Sequence, residues 1–459
     1  MKVSNSRKYW SNSLELLTPN RLDIMFKYLY LKFRNISPSF SKELYSQHIK
    51  HMTNGVYKEK DNSKTSLEEF YESFHNTFDS LRSKEFDPNI SSVPISKDLS
   101  ISNGAHRVAS SIYLSQKVYC SIENVKKSKY GYSFFKERGM PEYLLDFAVL
   151  NYINLKPNTY LALIWPSADK NIEYLGNFQN IIYQKKFKLN YNGAHNFIAQ
   201  VYKEQKWAGS FKNGYGGAHI KLAESFKDFS PVHAVFFHEE SLERVNHIKF
   251  TLREKFKIEK GSIHITDNNY ETLDLGKYIL NTNSLHFLNY AKPYLFQNSF
   301  NRLKSFKTKL ENLKINIDDI VIDGGTVLSV YGLRDSKDLD YISIDKNIRE
   351  FDRHNDQVIF HDVEIEQLLY NPKFHFYFND FKFISINQIK KMKKKRNEIK
   401  DKIDIKLIDK TSKDINIYIL KILNYFNVIK TNFVAKLIPM SKKFGFYNTA
   451  KSIYKMLSK

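Results

Sequence analysis

The chain has 459 residues, 42% of them hydrophobic and 26% charged, enough for about two to four domains with packed cores and unlike a disordered chain. The net charge of +22 favours a polyanionic partner. However, Lys, Asn, Ile, Phe and Tyr are abundant together, as in the products of an AT-rich genome, so the charge alone says little. The single cysteine, Cys120, excludes an intrachain disulfide and a cysteine-based zinc cluster and fits a reducing cytoplasm.

Met1–Leu14 is polar, so no signal peptide is expected. No apolar run reaches the roughly 18 residues of a membrane span; Ile415–Ile429 comes closest and is interrupted by Asn416, Lys421, Asn424 and Asn427. The reading is a soluble, cytoplasmic protein. Residues 1–60 look like mixed helix and loop. Leu67, Phe70, Phe74 and Phe78 recur at three or four residues, which predicts an amphipathic helix over Ser66–Leu81. After a Pro/Ser loop (Asp87–Ser96) the pattern predicts a strand over Asp98–Ser102, a glycine turn, a helix through Val108–Leu114 and a strand over Lys117–Ile122. A boundary is expected near residue 130.

The turn reads Asn103-Gly104-Ala105-His106-Arg107. A glycine and an arginine at a helix N-terminus make a phosphate cradle. The stretch resembles the Asp-Gly-x-His-Arg motif of the ParB/sulfiredoxin-like fold, over about residues 60–125. The resemblance implies nucleotide-phosphate binding by Asn103, Gly104, His106 and Arg107, and it leaves open a small-molecule kinase or nucleotide hydrolase. Asn103 stands where the motif has Asp, so this position supplies no acid. ParB-like domains also bind DNA, but no helix-turn-helix follows the turn, which argues against a nucleic-acid partner.

Residues 131–298 alternate strands (Tyr160–Trp165, Ile181–Leu189, Val232–Phe237, Ser262–Thr266) with helices (His195–Tyr202, Leu242–Phe256, Thr272–Leu280). This predicts an α/β domain with a mostly parallel sheet. Gly214-Tyr215-Gly216-Gly217 lacks the P-loop order. Lys221, Lys249, Arg253, His264 and Asp267 are candidates for lining a crevice at the strand ends, for a phosphorylated substrate.

A helix over Phe300–Leu313 opens the third block. Val321-Ile322-Asp323-Gly324-Gly325 is an apolar strand ending in two glycines, and Asp338-Leu339-Asp340 begins thirteen residues after Gly325. Glycines there let backbone approach a phosphate. Residues i and i+2 of a strand share a face, so Asp338 and Asp340 can converge on one hard cation. Arg334 and Lys337 lie in the connecting turn, within reach of a phosphate chain. This combination resembles the polymerase-β nucleotidyltransferase superfamily. The basic run Lys391–Lys395-Arg396, leading into Lys400-Asp401-Lys402-Ile403-Asp404, is similar to that of LicD-like and toxin-type members. The resemblance spans about residues 316–410.

It implies Mg²⁺ or Mn²⁺ on Asp338 and Asp340, a nucleotide site at Gly324, Gly325, Arg334 and Lys337, and a third carboxylate. Asp362, Glu364 and Asp404 are the candidates. Glu364 is favoured, on an alternating Val358–Ile365 stretch, and a further strand is expected at Ile403–Ile408. The expected architecture is α/β and α+β, multidomain: 1–130 ParB/sulfiredoxin-like, 131–298 α/β, 299–410 nucleotidyltransferase-like, and 411–459 a helical basic tail that packs on the transferase or touches an anionic membrane. The expected function is a metal-dependent nucleotidyl- or phospho-substituent transferase of cell-surface polysaccharide synthesis, with a nucleotide or nucleotide-activated donor and a phosphorylated sugar or glycan acceptor.

Overall fold

Asparagine and serine start many of the helices. A short side-chain oxygen at the N-cap accepts a hydrogen bond from a backbone N–H that the helix leaves without a partner. Ser66 caps α3 (Leu67–Lys84), Asn190 caps α7 (Tyr191–Val201), Ser241 caps α9 (Leu242–Phe256), Asn268 caps α10 (Asn269–Ile279) and Asn281 caps α11 (Thr282–Tyr290). The abundance of Asn thus has a local structural use. The protein is described by a computed structural model covering residues 7–59, 61–124, 129–345, 348, 351–412, 437, 440–446, 448, 449 and 452. It is a mixed α/β multidomain fold with three small sheets among the described residues.

Contacts divide the chain into two units. The first runs through Thr159 and includes Asn180–Tyr183. Its sheet has the order β1-β3-β2, with β1 (Lys8–Asn12) antiparallel and β2 (Val93–Ile95) parallel to β3 (Lys117–Ile122). The strand expected over Asp98–Ser102 is a turn instead; Val93 starts the pairing upstream, and Ile101 makes only an isolated bridge to Ile95. α1 (Leu22–Phe33) packs on α2 (Pro38–Met52) and α4 (Ala105–Tyr113). α3 buries Phe70, Phe74, Phe78 and Leu81, the stripe that the spacing predicted. α6 (Glu142–Leu155), preceded by α5 (Tyr132–Glu137), also packs on α1, so this unit extends past residue 130.

The second unit holds Tyr160–Gln179 and the chain from Gln184 onward. One sheet has the order β5-β6-β4-β7: β4 is Thr159–Ile164, β5 Ile181–Phe187, β6 Val232–His238 and β7 Ile263–Ile265. β4 and β7 pair antiparallel, so that edge departs from the expected parallel sheet. α8 is Ala218–Ser225. α12 (Gln297–Asn312) leads to the other sheet, ordered β10-β9-β8-β12-β11. Its members are β8 (Ile320–Ile322), β9 (Asp340–Ser343), β10 (Asp352–Arg353), β11 (His375–Phe378) and β12 (Phe381–Ile384). β9 runs antiparallel to β8, while β10 is parallel to β9 and β12 parallel to β8. α13 (Gly324–Val330) follows β8, and α14 (Ile365–Tyr370) lies between β10 and β11. The hairpin turns at Asn379 and Asp380, both at positive φ, as its sequence predicts.

Two further stretches depart from the pattern their sequence suggests. Val358–Ile365 is a 3-10 turn over Asn355–Phe360 followed by the start of α14. Ile403–Ile408 lies inside α16 (Ile399–Ser412). The basic run through Arg396 closes α15 (Ile386–Arg396) rather than opening a helix. The apolar alternation of Ile403, Ile405 and Leu407 misleads because α16 buries Asp401, Asp404 and Ile408, at helical spacing, and leaves Ile399 and Ile403 exposed. Most of the expected basic tail, Ile415–Ile429 included, lies outside the described residues. Among the described residues no helix is long and apolar enough to cross a membrane.

Candidate functional site

The site begins where β8 ends. Ile322 pairs with Tyr341, which brings Asp340 across from the glycine turn, and Asp323 N donates to the Asp340 carbonyl at 2.9 Å. The Asp340 carboxylate then folds over the glycines, and its Oδ2 accepts from Gly325 N at 3.2 Å. Gly324 has φ +61°, and a Cβ there would stand 2.8 Å from Asp340 Cγ and closer still to its oxygen. Backbone conformation and space both demand glycine. At Gly325 a Cβ would find ordinary contacts, 3.5 Å from the Arg334 guanidinium and from Ser336 Oγ.

Three acids converge. Asp352 on β10 is the register partner of Asp340 on β9. Asp338 sits just before β9, its carbonyl held by Ser336 Oγ and by Thr326 Oγ1 at 3.1 Å. One carboxylate oxygen from each of Asp338, Asp340 and Asp352 lies within 4.8 Å of the other two. Asp340 is buried while Asp338 and Asp352 are exposed, so the group opens to one side. Three hard oxygen donors at this spacing could hold a metal ion.

The acid that this geometry groups with Asp338 and Asp340 is Asp352, and the favoured Glu364 lies outside the group. Glu364 is the exposed N-cap residue of α14, because its segment turns instead of extending. Asp362 is exposed and paired with Lys395. Asp404 faces Arg334 and Lys393.

His354 bridges the acids from behind, with Nε2 3.1 Å from Asp340 Oδ1 and Nδ1 3.5 Å from Asp323 Oδ2. Burial lowers its pKa, but Asp323 and Asp340 outweigh this and raise it to about 9. His361 Nε2 lies 3.3 Å from Asp323 Oδ2. Burial raises the Asp323 carboxyl, and the two histidines more than reverse this, holding it well below the usual range.

The Arg334 guanidinium lies beside Gly325, and α16 determines how it is held. Asp404 grips it in a fork, Nε–Oδ1 2.6 Å and Nη2–Oδ2 2.9 Å. Asp404 is in turn 2.8 Å from Lys393, which contacts Asp401 at 3.0 Å, and Asp401 also takes two bonds from Arg396. Such a planar fork fixes a guanidinium where an ammonium would wander. Lys337 is exposed.

Burial raises the Asp401 carboxyl, but Arg396 and Lys393 bring it down to about 2. A carboxyl depressed in the folded state stabilises it above the unfolded value, near 3.9, and that stability is lost as pH falls through the folded value. Wild type is expected to loosen between about pH 4 and 2 at the contact of α15 with α16. Asp401→Asn should lack this acid-dependent step in a circular-dichroism titration and have a lower Tm at neutral pH; an unchanged acid profile would contradict the network.

In the first unit the Asn103–Arg107 turn is a glycine-led helix start. Gly104 has φ +92° and precedes α4; exposed Asn103 accepts from Gly104 N at 2.6 Å. His106 stacks on Phe74 at 4.5 Å and meets Tyr45 OH at 3.2 Å, and burial drives its pKa well below the usual value. Arg107 Nη1 donates to Ser92 O at 3.2 Å. These side chains line one cavity.

Lys221 and His264 lie against the Tyr202 ring, and the middle candidates largely pair with nearby side chains or backbone. Lys249 pairs with Asp267 at 2.8 Å, and His264 with Glu271 at 3.0 Å. Lys221 donates to Lys260 O at 2.6 Å, and its pKa falls to about 8 through burial. Arg253 Nε is buried without a partner among the described residues. These contacts give Lys221, Lys249, His264 and Asp267, but not Arg253, a partner.

The sequence reading missed Asp352, His354 and the Ser336–Thr326 clamp. β10 is two residues long, too short to leave a pattern. Comparison of the chain with protein-family models, curated proteins and solved structures found no match.

Proposed function

We propose that the glycine turn and three acids of the second unit form the active site of a metal-dependent nucleotidyl- or phospho-substituent transferase of polymerase-β-like character. The observation that carries this reading is the Asp340 carboxylate, bonded to Gly325 N at 3.2 Å while grouped with Asp338 and Asp352. The phosphate-approach backbone and the cation ligands thereby share one point. Asp338, Asp340 and Asp352 would hold Mg²⁺ or Mn²⁺, which, when bound, supplies charge neutralisation for the attacking and leaving oxygens. Gly325 leaves room for a phosphate, and Arg334 presents its guanidinium to it. His354 holds Asp340 in place. A nucleotide or nucleotide-activated sugar precursor is the donor, and a phosphorylated sugar or glycan destined for the cell surface is the acceptor.

The test is incubation of the protein with each nucleoside triphosphate, Mg²⁺ and a panel of sugar phosphates, followed by phosphorus NMR. A new phosphodiester or pyrophosphate signal that requires Mg²⁺ supports the reading; consumption of triphosphate that survives chelation counts against it. Asp404→Asn should lower turnover by about tenfold with Arg334 still present, since a charged fork becomes a weaker neutral contact. Arg334→Lys should lose more. Equal activity in wild type and both variants would remove Arg334 from the site.

A further inference from the structure

The first unit contains a cavity of about 1130 Å³, at the upper end of small-molecule sites. Its wall includes four polar residues almost wholly buried: Arg21, Asp23, Lys27 and His48, at 2%, 1%, 5% and 0% exposure. Their contacts are uneven. Asp23 forks Arg21, Nε–Oδ1 2.8 Å and Nη2–Oδ2 2.8 Å, and Arg21 also reaches the Ile101 carbonyl. Lys27 is held loosely, 3.4 Å from Asp23 and 3.5 Å from His48 Nε2. His48 Nδ1 has no partner among the described residues.

One carboxylate thus faces two cations whose side chains are almost wholly buried. The fork neutralises Arg21, and the Lys27 charge stays under-compensated. A buried charge left this way is costly unless something anionic completes it. Beyond these four the cavity is lined by cations, Lys58, Lys64, Lys84, Arg107 and Arg138, and by the acids Glu59, Asp61, Glu85 and Asp87.

We propose that the wall formed by Arg21, Lys27 and His48 seats a phosphate-class anion, the phosphoryl group of a small phosphorylated metabolite whose remainder occupies the cavity. Lysine is a point-charge donor with three hydrogens, suited to the divergent oxygens of a phosphate. His48 Nδ1 serves a further oxygen, as donor or as acceptor according to which of the two is protonated. The inference is independent of the reading of the second unit.

The experiment uses the full chain with Asp338→Asn and Asp340→Asn as background, so that the acids of the second unit do not contribute. Inorganic phosphate and a nucleoside monophosphate are compared with acetate at constant ionic strength, reading Tm and phosphorus line width. Both phosphates should raise Tm and broaden the phosphorus signal, and acetate should do little. Lys27→Met should raise the anion-free Tm by about 2–4 °C, because the under-compensated charge is gone and Asp23 keeps its fork. It should also abolish the phosphate response, whereas Lys27→Arg should retain part of it. The line width on the background protein tests the site even if Lys27→Met fails to fold. No broadening by either phosphate, an equal response to acetate, or an undiminished response in folded Lys27→Met would each overturn the proposal.

Discussion

Asp340→Asn is expected to abolish metal-dependent transfer while the protein still folds. The amide keeps the size of the carboxylate and can still accept from Gly325 N, the 3.2 Å contact. It loses the charge that pairs with His354 at 3.1 Å and that would bind the cation alongside Asp338 and Asp352. A loss of at least ~10²-fold in kcat is the scale for removing one electrostatic stabiliser of a transition state. The near-ultraviolet spectrum should be unchanged, and the rise of Tm with Mg²⁺ should vanish. Asp352→Asn should behave alike and Glu364→Gln should be silent. Normal turnover in folded Asp340→Asn would remove the site.

Gly324→Ala is expected to cost both stability and activity. The residue sits at φ +61°, and a Cβ would be forced against the Asp340 carboxylate. Left-handed backbone in a non-glycine residue costs about 1–3 kcal/mol, and displacing Asp340 adds to that. Gly325→Ala is the matched control, since its Cβ would meet only 3.5 Å contacts. That variant should melt near wild type, and any drop in nucleotide affinity measured by calorimetry reports lost phosphate room. If Gly324→Ala melts and turns over like wild type, the turn has no special geometry.

The elements most legible in the sequence were those with sustained periodicity. α3 and α9 follow from Phe70, Phe74 and Phe78 and from Leu242–Phe256 because one apolar stripe faces one core. The Gly-Gly turn and the paired Asp338 and Asp340 were legible because their meaning is local: a strand end, a tight backbone and two acids close in sequence. Asp352 was not, since its place opposite Asp340 arises only from pairing between β10 and β9. α16 misled for a different reason. Its buried face is acidic, stabilised by Lys393, Arg396 and Arg334, so hydrophobic pattern assigned the wrong period. The crowding of Lys27, His48 and Arg21 around one cavity likewise depends on how α1 and α2 pack, which spacing along the chain does not show.

Manganese binding followed by electron paramagnetic resonance, with and without a nucleoside triphosphate, tests the central claim most directly, because it needs no knowledge of the acceptor. Wild type should bind Mn²⁺ more tightly when the triphosphate is present, and that coupling should disappear in Asp340→Asn and in Asp352→Asn but persist in Glu364→Gln. Mn²⁺ binding that ignores the triphosphate, or that survives in folded Asp340→Asn, would contradict a metal-dependent transferase site at these three acids.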